Sequence, residues 1–170
     1  MKNTLKSLSL GFLFVLISAL CFSCKYDKFG EDVDIYSFAK TIDNYVWYKS
    51  SSNQLARSAS SGHPQPFLKT RFNNLAAQNL DSLFKVKANG KFKEGSVIVK
   101  ELYENGKLDL YAVLYKNSSH KNADAKGWVW GYINADGSVR IPSSKKGAEC
   151  ISCHSQSGNE DYMLMNKFFP

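Results

Sequence analysis

The sequence predicts an α+β chain that is mostly β: an antiparallel sheet of four to five strands with flanking helices, ending in a Cys-x-x-Cys-His motif close to the C-terminus. Three observations carry this. Two pairs of apolar-alternating segments are joined through Asn105-Gly106 and Asp136-Gly137, dipeptides that suit tight hairpin turns. Helical periodicity is confined to two stretches upstream of the first hairpin. No internal repeat is visible.

Taken in order, Lys2 and Lys6 form a basic start, residues 8–20 an apolar run, and Ser23 precedes Cys24. This has the form of an export signal over residues 1–23 and is too short and too early for a spanning helix. Ser23-Cys24 fits lipid modification of Cys24, although Cys21 and the bulky Phe22 are atypical before such a site. The alternative is a plain cleavage that leaves Cys24 as an unpaired thiol in an oxidising compartment. The expectation is an exported chain on the periplasmic side of a bacterial membrane, anchored through Cys24, with residues 24–32 as a tether and residues 33–170 as one domain.

Within that domain, apolar residues recur at three- and four-residue steps over residues 34–48 (Ile35, Phe38, Ala39, Ile42, Tyr45, Val46), which predicts an amphipathic helix. Residues 49–66 are rich in Ser, with Gly62, Pro64 and Pro66, and read as a loop long enough to serve a function, such as covering a cofactor face. A short strand over residues 68–72 leads to a helix over residues 74–84. Strands at 96–103 and 108–115 form the first hairpin, and strands at 128–133 and 138–141 the second.

Composition excludes disorder, with 44% hydrophobic and 14% aromatic residues, enough for one packed core. The net charge of +7 suits an anionic membrane surface or an acidic redox partner protein. Nucleic acid is not indicated, because the basic residues are scattered and Lys145-Lys146 is the only adjacent pair.

The motif Cys150-Ile151-Ser152-Cys153-His154 carries the chemistry. Two thiols separated by two residues can each form a thioether with a vinyl group on one porphyrin edge, and the next residue offers an imidazole to the iron. A zinc ribbon needs a second ligand pair, yet Cys21 and Cys24 lie in the signal region with no His after them. A redox thiol pair belongs at a strand-to-helix turn in a βαβ pattern, which is absent here. The reading is one covalently attached haem c, with Cys150 and Cys153 as thioether positions and His154 as iron ligand. Helical class I cytochromes carry this motif near the N-terminus, and four-helix cytochromes need heptad-like periodicity before it. Neither pattern is present.

The segment Glu94-Gly95-Ser96-Val97-Ile98-Val99-Lys100-Glu101-Leu102, the later Gly127-Trp128-Val129-Trp130, residues 150–154, and the ending from Asp161-Tyr162-Met163 to Phe168-Phe169-Pro170 resemble the cytochrome P-460 and cytochrome c′-beta family. The resemblance spans roughly residues 65–170. It implies a compact antiparallel β domain, often a homodimer, with a pentacoordinate haem. In P-460 members a lysine is also cross-linked to the haem and hydroxylamine is oxidised, whereas c′-beta members bind nitric oxide or carbon monoxide in an apolar pocket. Lys100 matches the cross-linking lysine. By strand alternation it shares a face with Ile98 and Leu102, opposite Val97, Val99, Glu101 and Tyr103. The competing reading of Lys100 is an edge-strand lysine whose amine reaches water.

The resemblance further implies a distal carboxylate on the next strand, where Ala112 falls in this chain; Asp109 and Glu101 reach that place only in another register. A basic residue of the family before the first strand is unmatched as well, for Leu68 falls there and Arg71 lies three residues on. Met163 and Met165 are candidate sixth ligands, set against packing near the haem edge. His63 and His120 read as surface histidines in polar loops, with His63 the better placed to reach the cofactor through the Ser-rich loop. Trp128, Trp130, Tyr111 and Tyr115 read as core and pocket wall. Two functions follow: an exported haem protein that binds nitric oxide or a similar small ligand, or oxidises hydroxylamine or nitric oxide; and a non-catalytic electron-transfer cytochrome with six-coordinate haem.

Overall fold

The computed structural model describes residues 30–163. The signal region 1–23, Cys24, most of the tether, Met165 and residues 168–170 lie outside the described residues. The element order is α1 (Val33–Lys40), β1 (Tyr45–Trp47), β2 (Leu55–Ala56), β3 (Phe67–Asn73), α2 (Asn74–Ala77), β4 (Val97–Glu104), β5 (Lys107–Lys116), β6 (Trp128–Asn134), β7 (Val139–Ile141) and α3 (Ile151–His154). The strands form one antiparallel sheet in the order β1-β3-β4-β5-β6-β7, with β2 also paired to β3. The fold class is as expected, with seven strands instead of four or five.

The two extra strands come from segments whose sequence favoured other states. Helix α1 ends at Lys40, where Thr41 turns to extended backbone and Asn44 adopts a φ of 61°. Tyr45, Val46 and Trp47 fit the helical spacing, but β-branched and aromatic side chains also favour strands, and β3 supplies a partner along Tyr45↔Asn73, Val46↔Phe72 and Trp47↔Arg71. The predicted helix over residues 74–84 shrinks to the single turn α2. Asn73 caps that turn, its side chain accepting from Ala76 N at 2.9 Å. Asp81 then accepts from the backbone of Leu83 and Lys85 at 2.8 and 2.9 Å, satisfying those donors outside a helix.

Both hairpins form. Asn105 and Gly106 have φ of 49° and 74°, the left-handed pair that a two-residue hairpin turn requires. Register follows from alternation. Thr70, Lys100, Ala112 and Tyr132 pair in succession across β3, β4, β5 and β6, forming one row on one face of the sheet. The other face carries Val97, Val99, Val113, Val129 and Ile133 and is covered by Ile35 and Ala39 of α1. Gly131 allows that approach: a Cβ there would meet Ile35 at 2.6 Å. Tyr111 and Tyr115 lie on this α1 side and so are not pocket wall, whereas Trp128 and Trp130 belong to the core of the opposite face with Phe72, Ile98 and Leu114.

Glu101 also points to the α1 side. It pairs with Arg71, itself fully buried, and accepts from Tyr103 Oη at 2.6 Å. Arg71 further donates to the carbonyls of Ala39 at 2.7 Å and Thr41 at 3.2 Å, tying the end of α1 to the sheet.

Candidate haem pocket

The sheet face away from α1 forms the floor of an open-mouthed cavity with about 1090 Å³ of empty space, the solvent at its mouth included. Leu68, Ile98, Ala112 and Leu114 make the floor apolar, and Lys100 stands among them. The Ser-rich segment brings Ser58, Ser61, Gly62 and His63 to the lining of the cavity. The third wall is the Cys-x-x-Cys-His segment, which contributes Cys150, Cys153 and His154.

That third wall is positioned by backbone contacts. Gly147, at φ 72°, sits against the Trp130 indole, where a Cβ would come within 2.7 Å of the ring, and its carbonyl accepts from the backbone of Cys150 and Ile151. A glycine is required there both by conformation and by space. The thiols are free, Cys150 buried and Cys153 partly exposed. Burial, with the Glu149 carboxylate adding to it, pushes the Cys150 thiol up to about 11. Redox-active thiol pairs have depressed values, so this environment opposes that reading. Among the described residues no group of three or more His, Cys, Asp and Glu side chains could hold a metal ion by itself.

His154 is oriented from behind. Its Nδ1 lies 2.7 Å from the carbonyl oxygen of Tyr162. A carbonyl only accepts, so the proton is on Nδ1 and Nε2 carries the free lone pair. Trp130 packs edge-on against the imidazole at 5.1 Å between ring centroids. Burial, opposed by the Tyr162 hydrogen bond and reinforced by the Lys100 charge, brings His154 down to about 4, keeping it neutral. The supporting carbonyl depends on Asp161 and Tyr162, both at positive φ (47° and 69°). Asp161 is held by the Phe92 backbone N–H at 2.9 Å, Lys116 Nζ at 3.2 Å and Trp128 Nε1 at 3.2 Å. Apart from the presence of Asp161-Tyr162 in the resemblance, nothing local in the chain announces this clamp.

Lys100 is not an edge lysine. Strand β4 is paired on both sides, to β3 and β5, so the side chain has no strand edge from which to reach water and instead enters the cavity. Among the described residues no hydrogen bond or ion pair is made by its amine, and burial lowers it to about 8 despite Cys153 nearby. Ala112 is its direct cross-strand partner, a pairing set by the register shift between Leu102 and Tyr103. Glu101 is on the opposite face, and Asp109 is engaged outside the cavity by Gln65 Nε2 at 2.6 Å and Arg140 at 3.3 Å. Leu68 lines the cavity and Arg71 does not.

His63 departs from its reading as a surface histidine. It is partly buried in the cavity, its Nδ1 lies 3.0 Å from Tyr132 Oη, and burial, with the Lys100 and His154 charges adding, pushes it down to about 2. Burial likewise raises the Tyr132 hydroxyl, so both groups are neutral near pH 7. His120 stays in an outer turn, its Nδ1 accepting from Asn122 N at 3.1 Å. Met163 is buried and lines the cavity, but its backbone follows the carbonyl behind His154, a poor place from which to ligate opposite that imidazole.

A pH dependence follows from His63. In the unfolded chain its imidazole binds a proton near 6.5, whereas in the folded chain it does so only near 2. Stability is therefore expected to fall as pH drops below 6.5, with His63 contributing up to about 1.4 kcal/mol per pH unit. Denaturant melts at pH 7 and pH 5 check this: His63→Leu should flatten the acid-side loss, and an unchanged slope contradicts the burial of a neutral imidazole.

None of the curated proteins and none of the solved structures matches the chain. The family model described as Cytochrome P460 matches residues 47–165, which include β2 to β7, the cavity and the Cys-x-x-Cys-His wall. On that match, the chain belongs to the cytochrome P460 family.

Proposed function

We propose that the chain holds one haem c covalently through Cys150 and Cys153, with the Nε2 atom of His154 as its axial ligand, and that it binds a small ligand such as nitric oxide on the other side. Membership of the family supports a c-type haem protein. The observation that carries the finer reading is the convergence of both thiols and a neutral, Nδ1-protonated imidazole on one wall of a largely apolar cavity. When bound, the haem supplies a redox-active iron able to coordinate a diatomic or hydroxylamine-sized molecule.

The chain's own residues then divide the work. The Tyr162 carbonyl fixes the imidazole tautomer, and Trp130 fixes its rotation. Leu68, Ile98, Ala112 and Leu114 keep the floor dry. Ala112 offers no proton acceptor where oxidising relatives have a carboxylate, which favours ligand binding over hydroxylamine turnover; a missing general base typically costs on the order of a hundredfold. The pattern of residues 1–24 supports export with a lipid anchor on Cys24, and the family resemblance supports a homodimer.

The ferrous visible spectrum tests this. A high-spin spectrum that shifts on adding carbon monoxide is expected, with slow hydroxylamine oxidation. A low-spin spectrum indifferent to carbon monoxide would instead indicate an electron-transfer protein with a six-coordinate haem. Lys100, which lines the cavity, is the position of the family's cross-linking lysine. Peptide mass mapping decides it: haem bridging the peptide of residues 150–154 to the one containing Lys100 is the expected product, and haem on the former alone excludes the bond.

A further inference from the structure

One hydrogen-bonded pair in the cavity takes no part in attachment or axial ligation. Tyr132 enters from β6, directly opposite Ala112 in register. His63 enters from the covering loop, which is itself held in shape by Arg57 N donating to Pro66 O at 2.9 Å, by Arg57 Nη1 donating to His63 O at 3.4 Å, and by His63 N donating to Ser61 Oγ at 3.3 Å. The two rings stack at 6.0 Å between centroids and 29° between planes, and both line the cavity.

We propose that His63 and Tyr132 form a ligand-recognising pair that donates one hydrogen bond to a diatomic or hydroxylamine-sized molecule held in the cavity. This rests on the haem reading above. A count of hydrogens supports it. A neutral imidazole and a phenol carry two polar hydrogens between them, and their mutual contact at 3.0 Å uses one. If Tyr132 donates to Nδ1, the Nε2–H of His63 is left over. If Nδ1–H donates to Tyr132, the phenol O–H is left over. Either arrangement leaves one donor and one acceptor on cavity-lining residues, and neither places a net charge among apolar side chains, which would be costly. A carboxylate at position 112 could only accept. The pair next to Ala112 in register can accept and donate, so it supplies polarity that the apolar floor lacks and tethers the covering loop to the sheet. Lys100 and Thr70 lie on the same row and are the competing donors.

The test uses the ferrous holoprotein with carbon monoxide as probe and reads the C–O stretch by infrared spectroscopy. A donor near the outer oxygen draws electron density onto the ligand and lowers the stretch, so Tyr132→Phe and His63→Leu should each raise it. Because the two residues act as one unit, the double variant should shift no further than the larger single change. Carbon monoxide should dissociate about fivefold faster from each, the size of one neutral hydrogen bond. Thr70→Val, on the same row and lining the cavity, should leave the stretch in place. Tyr132→Phe keeps the ring and its packing, so it remains informative if His63→Leu folds poorly. An unmoved stretch in Tyr132→Phe, or a shift seen only in Thr70→Val, overturns the proposal while leaving the haem reading intact. Conversion of a low-spin haem to high-spin by His63→Leu makes His63 an iron ligand and also overturns it. A wild type that carries no haem overturns the underlying reading first, and is recognised by the absence of any carbon monoxide complex.

Discussion

Replacing Cys150 and Cys153 together by Ala is expected to leave no haem that survives acid-acetone extraction, except any held by Lys100 alone. Both thiols line the cavity from the same short wall, and the segment that presents them is fixed by Gly147 against Trp130 and by backbone bonds from Cys150 and Ile151 to the Gly147 carbonyl. Removing the sulfurs deletes the bonds with little disturbance of that frame, since Ala preserves the backbone and the one protein hydrogen bond given to a thiol among the described residues, Gln156 Nε2 to Cys153 Sγ at 3.5 Å, is exposed. The effect is therefore all-or-none on thioether attachment and small on folding. His154→Ala separates the other contribution: thioethers can still form, but the ferric spectrum must change because the cavity loses its Nε2 lone pair. The addition of Lys100→Ala to the double cysteine variant closes the exception. Covalent haem persisting in that triple variant would refute attachment through this wall.

Much of this wall was legible in the sequence because its chemistry is local. Five consecutive residues specify two thiols and an imidazole whatever fold presents them. The hairpins were equally local, since Asn105-Gly106 satisfies a backbone requirement that few other dipeptides meet. Strand alternation then placed Lys100 with Ile98 and Leu102, apart from Glu101, whereas its pairing with Ala112 depends on a register shift at Leu102 and Tyr103 that alternation does not show. What could not be read were outcomes of partnership between distant segments. Tyr45, Val46 and Trp47 satisfy helical and extended patterns alike, and only β3 decides between them. Asp81 offers its carboxylate to the backbone two and four residues on, a competition with helix that periodicity does not register. Lys100 looks the same on an edge strand and a central one until the order of strands is known. His63 reads as polar-loop histidine until the loop is folded over Tyr132, and the clamp on Asp161 joins Phe92, Lys116 and Trp128, residues 33 to 69 positions away.

Arg71→Met is expected to destabilise the protein by about 3–5 kcal/mol, the cost of leaving a buried charge without its partner. Arg71 is fully buried and Glu101 nearly so, and after the substitution the carboxylate retains, among the described residues, the Tyr103 hydroxyl. The carbonyls of Ala39 and Thr41 lose a donor at the same time, which loosens the end of α1 from the sheet. For a chain of this size the loss lowers the melting temperature by roughly 10 °C or more. Adding Glu101→Leu removes the orphaned charge and should recover a large part, though not all, because the two carbonyls still lack the Arg71 donor; a double-mutant cycle isolates the pair from those contacts. A loss below about 1 kcal/mol in the single variant would show that water reaches the carboxylate. The same variant also tests the division of the sheet into two faces. Arg71 sits in register with Val99, one residue out of phase with the row that carries Lys100, so the folded protein should keep its covalent haem and an unchanged spectrum. A spectral change at full folding would mean that the Arg71 and Glu101 charges are felt through the sheet at the cavity floor.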